Sequence, residues 1–199
     1  MPDTHDHYYT ASPASAHELR TFTYTWAGRT LSFTTDAGVF SKGHVDPGTL
    51  LLASALPQGL CGRALDLGCG WGALSVFMLA RFPDLHVVMS DVNSRALALA
   101  AQNVQANGMQ ADAVLSDGLA GVEGLFDVIV TNPPIRAGKQ VIYKMFADSR
   151  QRLTPGGRLF LVIRKQQGAP SALKYLRTLF SSVEVIARDA GYWILQGTA

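Results

Sequence analysis

The sequence predicts an α/β fold: a Rossmann-like, mostly parallel sheet of seven strands with helices on both faces, an antiparallel C-terminal hairpin and a separate N-terminal β-hairpin. Three observations predict it. Short apolar runs alternate with helical patterns from residue 64 onward, a glycine-rich turn joins the first run to the helix after it, and only three residues separate the last two runs.

Residues 1–18 are polar, with histidines among Ser, Ala and Pro and no periodicity, and are expected to form a loosely ordered leader to one domain over residues 19–199. From Arg20, Thr21, Thr23 and Thr25 alternate with Phe22, Tyr24 and Trp26; Ala27-Gly28 supplies a turn, and Leu31 and Phe33 alternate with Ser and Thr. Such alternation is a hairpin with one buried face. Its aromatic stripe reads as packing, the alternative being a platform for stacked bases, and Trp71 also reads as packing. Ser41 to Gly48 is rich in turn residues, and the apolar run from Thr49 to Leu56 starts a helix near Thr49.

The strand runs of the body are Ala64 to Leu67, His86 to Ser90, Ala113 to Leu115, Phe126 to Thr131 and Arg158 to Arg164, and helical patterns centre on residues 72–82, 94–107 and 139–153. Val183 to Arg188 and Tyr192 to Gln196 are separated only by Asp189-Ala190-Gly191, too short for a crossover helix, so they pair antiparallel at one edge of the sheet.

A chain of 199 residues, 48% apolar, suits one hydrophobic core. No run of about 18 uncharged apolar residues occurs, and the start MPDTHDHYY lacks the basic flank and apolar stretch of a signal peptide. Cys61 and Cys69 have neither a CxxC nor a Cys/His ligand spacing, which points away from a disulfide framework or a metal site and towards a reducing cytoplasm. Net charge is +2, unevenly spread: residues 1–130 hold 6 Lys/Arg against 12 Asp/Glu, and residues 131–199 hold 11 against 3. A phosphate-bearing partner facing the C-terminal part would explain the asymmetry, as would a solvated basic face.

The glycine turn, Asp66-Leu67-Gly68-Cys69-Gly70-Trp71-Gly72, has the spacing GxGxG with an acid two residues before its first glycine, rather than the GxGxxG of a pyrophosphate site. Glycines there let backbone approach a ligand closely. Asp66 offers a carboxylate to an ammonium where a dinucleotide would bring phosphate. Asp91, about 20 residues on, suits a pair of ribose hydroxyls, with Asn93 just after it, and Ser116-Asp117 suits an adenine amine. Singly, each acid also reads as a helix N-cap. Together, Asp66, Gly68, Gly70, Asp91, Asn93 and Asp117, with Asn132 further along, fit S-adenosylmethionine (SAM).

The fourth run delivers Asn132-Pro133-Pro134. These residues resemble the NPP-type amino methyltransferases, which act on adenine, guanine or glutamine amides, although such a turn is elsewhere a simple strand terminator. The resemblance implies that the Asn132 side-chain carbonyl and the backbone carbonyl that follows, its direction fixed by Pro133, accept the two N–H bonds of a conjugated amine and aim its lone pair at the methyl. Positioning and electrostatics then suffice, without a dedicated general base.

Gly38-Val39-Phe40-Ser41, Asp46, Gly48-Thr49, LDLGCGWGALS and TNPPIRAGK are similar to the methyltransferase small domain of the small-subunit ribosomal RNA guanine-N2 methyltransferase C family, and IRKQQGAPSA to its compact single-domain relatives. The resemblance covers roughly Arg20 to Gln196. It implies a loop from Phe40 to Thr49 folded over the cofactor, RNA as partner, no metal and a guanine amine as acceptor. Ile135 and Arg136 stand where the ribosomal enzymes have an aromatic residue and then His, so aromatic stacking on a flipped base is not available from that position, and Arg136 would stack on the base or bind phosphate instead. No counterpart of those enzymes' second, degenerate domain is expected. Ile135, Arg136, Lys139, Arg164 and Lys165 are the expected substrate contacts. An adenine or a protein glutamine remains the alternative acceptor, a binding module without turnover the alternative class, and a nicotinamide oxidoreductase a remote third.

Overall fold

The computed structural model describes residues 16–41 and 43–199. Its strands are β1 (Arg20–Trp26), β2 (Arg29–Thr35), β3 (Gly62–Leu67), β4 (Leu85–Asp91), β5 (Asp112–Leu115), β6 (Phe126–Thr131), β7 (Leu153–Arg164), β8 (Ser182–Asp189) and β9 (Tyr192–Thr198). Its α-helices are α1 (Pro47–Ala55), α2 (Ala73–Arg81), α3 (Ser94–Ala106), α4 (Lys139–Gln151) and α5 (Ala169–Leu176). Seven strands form one sheet in the order β5-β4-β3-β6-β7-β9-β8. The fold is the Rossmann-like one expected, including the antiparallel C-terminal pair. Only β9 runs against the rest, because it returns between β7 and β8 and pairs antiparallel with both.

Near-continuous apolar runs make β3, β4 and β6 central strands, buried on both faces. One face carries the core of α1, α2 and α3, the other that of α4 and α5. No helix connects β5 to β6; Leu119 and Val122 plug that part of the second core from a loop. The α5 helix is absent from the sequence expectation. It spans eight residues behind Gly168, too few to register as a helical pattern.

The N-terminal hairpin is not part of the large sheet. Its aromatic stripe packs inward: Phe22 meets Trp71 at 6.0 Å between ring centroids and Trp26 meets Phe77 at 4.7 Å, which leaves the packing reading standing and removes the base platform. The free edge of β2 is closed by two amides at the C-terminal end of α3, Asn103 in its last turn and Asn107 at its C-cap. Asn103 exchanges hydrogen bonds with Thr34 N (2.7 Å) and O (2.9 Å), and Asn107 does the same with Ser32 N (2.9 Å) and O (2.8 Å). Residues 1–15 of the expected leader lie outside the described residues, whereas its last residues are tied down: His17 and the Glu18 amide both bind the buried Asp36 carboxylate. Among the described residues no helix is long and apolar enough to cross a membrane.

Candidate active site

Strand order decides where a ligand enters. The chain runs from β3 outward to β4 and β5 and then returns to lay β6 on the other flank of β3, so the C-terminal ends of β3 and β6 bound the switch point of a doubly wound sheet. The Thr131 hydroxyl donates to Leu67 O at 2.8 Å and fastens those ends together. The glycine turn and the Asn-Pro-Pro turn therefore become neighbours, and a cavity of about 930 Å³ opens between them.

The glycine turn forms one wall. Gly68 N and Cys69 N donate to Ser90 O at 2.8 and 2.9 Å, and Gly70 N donates to Asp91 Oδ2 at 2.8 Å. Gly68 and Gly70 have φ of +72° and +55°, and a Cβ built on either meets nothing within 4 Å. The backbone thus presents a bare cradle to the cavity.

Three carboxylates surround it. Asp66 is 1% exposed on the cavity floor. Burial pushes its carboxyl up to about 7, against a 2.6 Å hydrogen bond from Ser75 Oγ and with the nearby Asp91 adding to the rise. Asp91 accepts from Asn93 N at 2.8 Å as well as from Gly70 N, and burial raises its carboxyl above the usual range despite both bonds. Asp117, after β5, completes the set on the wall. Burial also lifts the Cys69 thiol far above its ordinary value, so this cysteine of the turn is packing and not a nucleophile.

A lid covers the cradle. Trp71 Nε1 donates to Phe40 O at 2.7 Å, and Val39, Phe40 and Ser41 line the cavity, as the resemblance implied for the start of that loop. Trp71 is thus both core residue and lid anchor.

Asn132, Pro133, Pro134, Ile135 and Arg136 share the opposite wall, the last two in a single 3₁₀ turn over Ile135–Ala137. Asn132 Nδ2 donates to Asp46 Oδ2 at 3.1 Å and to Thr49 Oγ1 at 3.0 Å. A carboxylate only accepts, so the amide nitrogen must face Asp46 and the carbonyl must point away. Among the described residues Asn132 Oδ1 takes no hydrogen bond. Arg164 also reaches the wall, with its Cζ 4.5 Å above the Tyr192 ring.

Three expected site residues do not line the cavity. Asn93 caps α3, accepting from Ala96 N at 3.1 Å, and its Nδ2 donates to Gly38 O at 3.3 Å; it holds the lid to the helix instead of facing a ligand. Lys139 and Lys165 are exposed outside the wall, Lys139 with its Nζ 5.0 Å from the Tyr143 ring centre. Two polar wall residues carry no signal in the sequence. Ser90 Oγ is fully buried with no protein partner among the described residues, and Tyr192 carries no motif at all.

A family model described as the methyltransferase small domain matches residues 30–196. The chain belongs to that family. Among similar proteins are the uncharacterized protein YbxB of Bacillus subtilis, 38% identical over 96% of this chain and 97% of its own length, and ribosomal RNA small subunit methyltransferase C of Hahella chejuensis, 39% identical over 68% of this chain and 41% of its own. A T. thermophilus 16S rRNA N2 methyltransferase, solved with AdoMet and guanosine, superposes with a TM-score of 0.81 at 31% identity, covering 94% of this chain and 52% of that one. The chain spans about half the length of these methyltransferase C relatives. It is a SAM-dependent methyltransferase. The bare glycine cradle, the carboxylates at successive strand ends and the unpartnered Ser90 hydroxyl make the donor set of this methyltransferase domain fit SAM.

Proposed function

We propose that the protein methylates the exocyclic N2 amine of a guanine in ribosomal RNA, with residues 19–199 as its catalytic domain and the cytoplasm as its compartment. The observation that carries this reading is the orientation of Asn132, whose nitrogen is engaged by Asp46 and Thr49 and whose carbonyl oxygen is left for a donor in the cavity. The amine of guanine is such a donor, with two N–H bonds to give. The likeness to a guanosine-bound N2 methyltransferase supports the choice of base.

Asp66, Gly68, Gly70, Asp91 and Asp117 hold SAM in this reading, which supplies a sulfonium methyl whose S–C bond breaks as the N–C bond forms. Asn132 Oδ1 accepts one N–H of the amine and the Pro133 carbonyl accepts the other, drawing the nitrogen towards tetrahedral geometry. Pro133 and Pro134 keep that backbone from yielding. After transfer the amine releases its extra proton to solvent, so orientation does the catalytic work. Ile135 gives the base an apolar neighbour; Arg136 and Arg164 on the wall, with Lys139 and Lys165 outside it, meet phosphate.

The test is transfer of radiolabelled methyl from SAM to ribosomal RNA by wild type and Asn132→Ala, followed by nucleoside analysis. Label in N2-methylguanosine that disappears in the variant is expected. Label in N6-methyladenosine, or in protein glutamine, would replace the acceptor.

A further inference from the structure

Two residues far from the Asn-Pro-Pro turn in sequence decide which end of the Asn132 amide faces the cavity. Asp46 lies 86 residues and Thr49 83 residues before it, yet their Oδ2 and Oγ1 atoms sit 3.1 and 3.0 Å from its Nδ2. The terminal torsion of an asparagine is soft and roughly two-fold, so an unrestrained amide would offer NH₂ to the incoming amine about as readily as C=O. An NH₂ group facing a donor repels it.

We propose that Asp46 and Thr49 are positioning residues for methyl transfer, which hold the Asn132 amide in the one orientation that offers its carbonyl oxygen to the target amine. The proposal rests on the reading that this carbonyl receives the amine.

Each residue is itself fixed. Asp46 is the N-cap of α1, and its Oδ2 accepts from Thr49 N at 2.9 Å as well as from Asn132. Glycine at position 48 lets that helix start lie flat against Tyr192: an added Cβ would sit 2.8 Å from Tyr192 Cε1 and 2.9 Å from Asp46 Oδ2. Tyr192 in turn accepts a hydrogen bond from Arg164 Nη2 and lies under its guanidinium. A flipped Asn132 would set its carbonyl oxygen against the Asp46 carboxylate, acceptor against acceptor, and lose that bond, whereas Asn132 as placed gives one N–H to Asp46 and the other to Thr49 Oγ1. Helix α1 is thus a shelf that carries an acceptor pair into the site, and the Asp46 cap serves fold and orientation at once.

The two duties separate by substitution. Asp46→Ser keeps an N-cap oxygen for Thr49 N but is one bond too short to reach Asn132. Asp46→Asn keeps the reach and can present a carbonyl to both donors. Expected for Asp46→Ser combined with Thr49→Val is a kcat about 10- to 100-fold lower, with SAM affinity and the KM for RNA each within about threefold of wild type on the same argument that orientation alone is lost. Asp46→Asn alone recovers most of that rate. In an Asn132→Ala background the double substitution should cost nothing further, since the amide it orients is gone. An equal loss in both backgrounds, or no loss of kcat, overturns the proposal.

A second readout needs no methyl acceptor. The side-chain ¹⁵N–¹H₂ pair of Asn132, assigned by its loss in Asn132→Ala, should exchange slowly with water in wild type and rapidly in the Asp46→Ser/Thr49→Val variant. Unchanged exchange overturns the hold itself, even if the wild-type protein transfers to no RNA, a result that would sink the substrate reading instead.

Discussion

Asp91 and Gly70 are joined by a 2.8 Å hydrogen bond from the amide of the glycine turn to the carboxylate at the end of the next strand. The other oxygen of that carboxylate accepts from Asn93 N at the same distance. One side chain therefore closes two loops of the cofactor cavity. Asp91→Ala should lower stability by about 1–3 kcal/mol, the cost of leaving such donors unpaired, and weaken SAM binding by about 100-fold, the worth of two charge-assisted hydrogen bonds to the ribose. Calorimetric titration alongside a thermal melt checks both. Wild-type affinity in a protein with a lowered Tm would remove Asp91 from the cofactor site.

If Asp66 meets the ammonium of SAM, cofactor binding should depend on pH. Burial holds its carboxyl at about 7 in the ligand-free protein, while an arriving ammonium favours the ionised form. SAM binding should then expel a proton below neutrality, and affinity should rise about tenfold per pH unit up to roughly pH 7, then level off. Titrations at pH 6 in buffers of different ionisation heat measure that proton. For the ligand-free fold the sign is opposite in effect. The native state keeps a proton that the unfolded chain gives up between pH 4 and 7, so stability falls as pH rises through that window, and Asp66→Asn should flatten the slope. An affinity flat from pH 5.5 to 7.5 would rule the linkage out.

What could be read in the sequence follows from how local the signal is. The glycine turn, Asp91 at a strand end and Asn132-Pro133-Pro134 announce themselves within a few residues, and strand order then brings them together. Asn93 was legible as a polar residue at the right loop and illegible as a cap, because both duties ask for a short side chain at a strand-to-helix junction. The Asp46 and Thr49 contacts to Asn132 span more than 80 residues and leave no periodicity behind. Asn103 and Asn107 belong to the same class: an amide in the last turn of α3 and another at its C-cap carry no local sign that β2 needs an edge partner.

The cations around the site should show in salt dependence. Arg136 lies on the cavity wall and Lys139 and Lys165 are exposed outside it. If each neutralises one phosphate, replacing any of them with Ala lowers the slope of log K against log salt for RNA binding by about 0.7 to 0.9, with little change for SAM. Slopes identical to wild type in all three variants would move the RNA surface elsewhere.

Two glycines of one turn should respond in opposite ways to the same substitution. At Gly72, φ is +85° and an added Cβ would lie 2.8 Å from Ala100 Cα and 2.9 Å from its Cβ, rigid parts of α3 that have nowhere to go. Gly72→Ala should therefore cost about 2–5 kcal/mol, left-handed strain plus overpacking between α2 and α3. At Gly68 the strain is similar, with φ +72°, but the new methyl meets nothing within 4 Å. Gly68→Ala should cost only about 1–2 kcal/mol and leave the protein folded. The methyl group then occupies the cradle, so SAM binding should be lost although the fold survives. Melting curves and cofactor titrations on the two variants separate the cases: a Gly68→Ala protein that binds SAM normally would mean that the cofactor does not approach the backbone there.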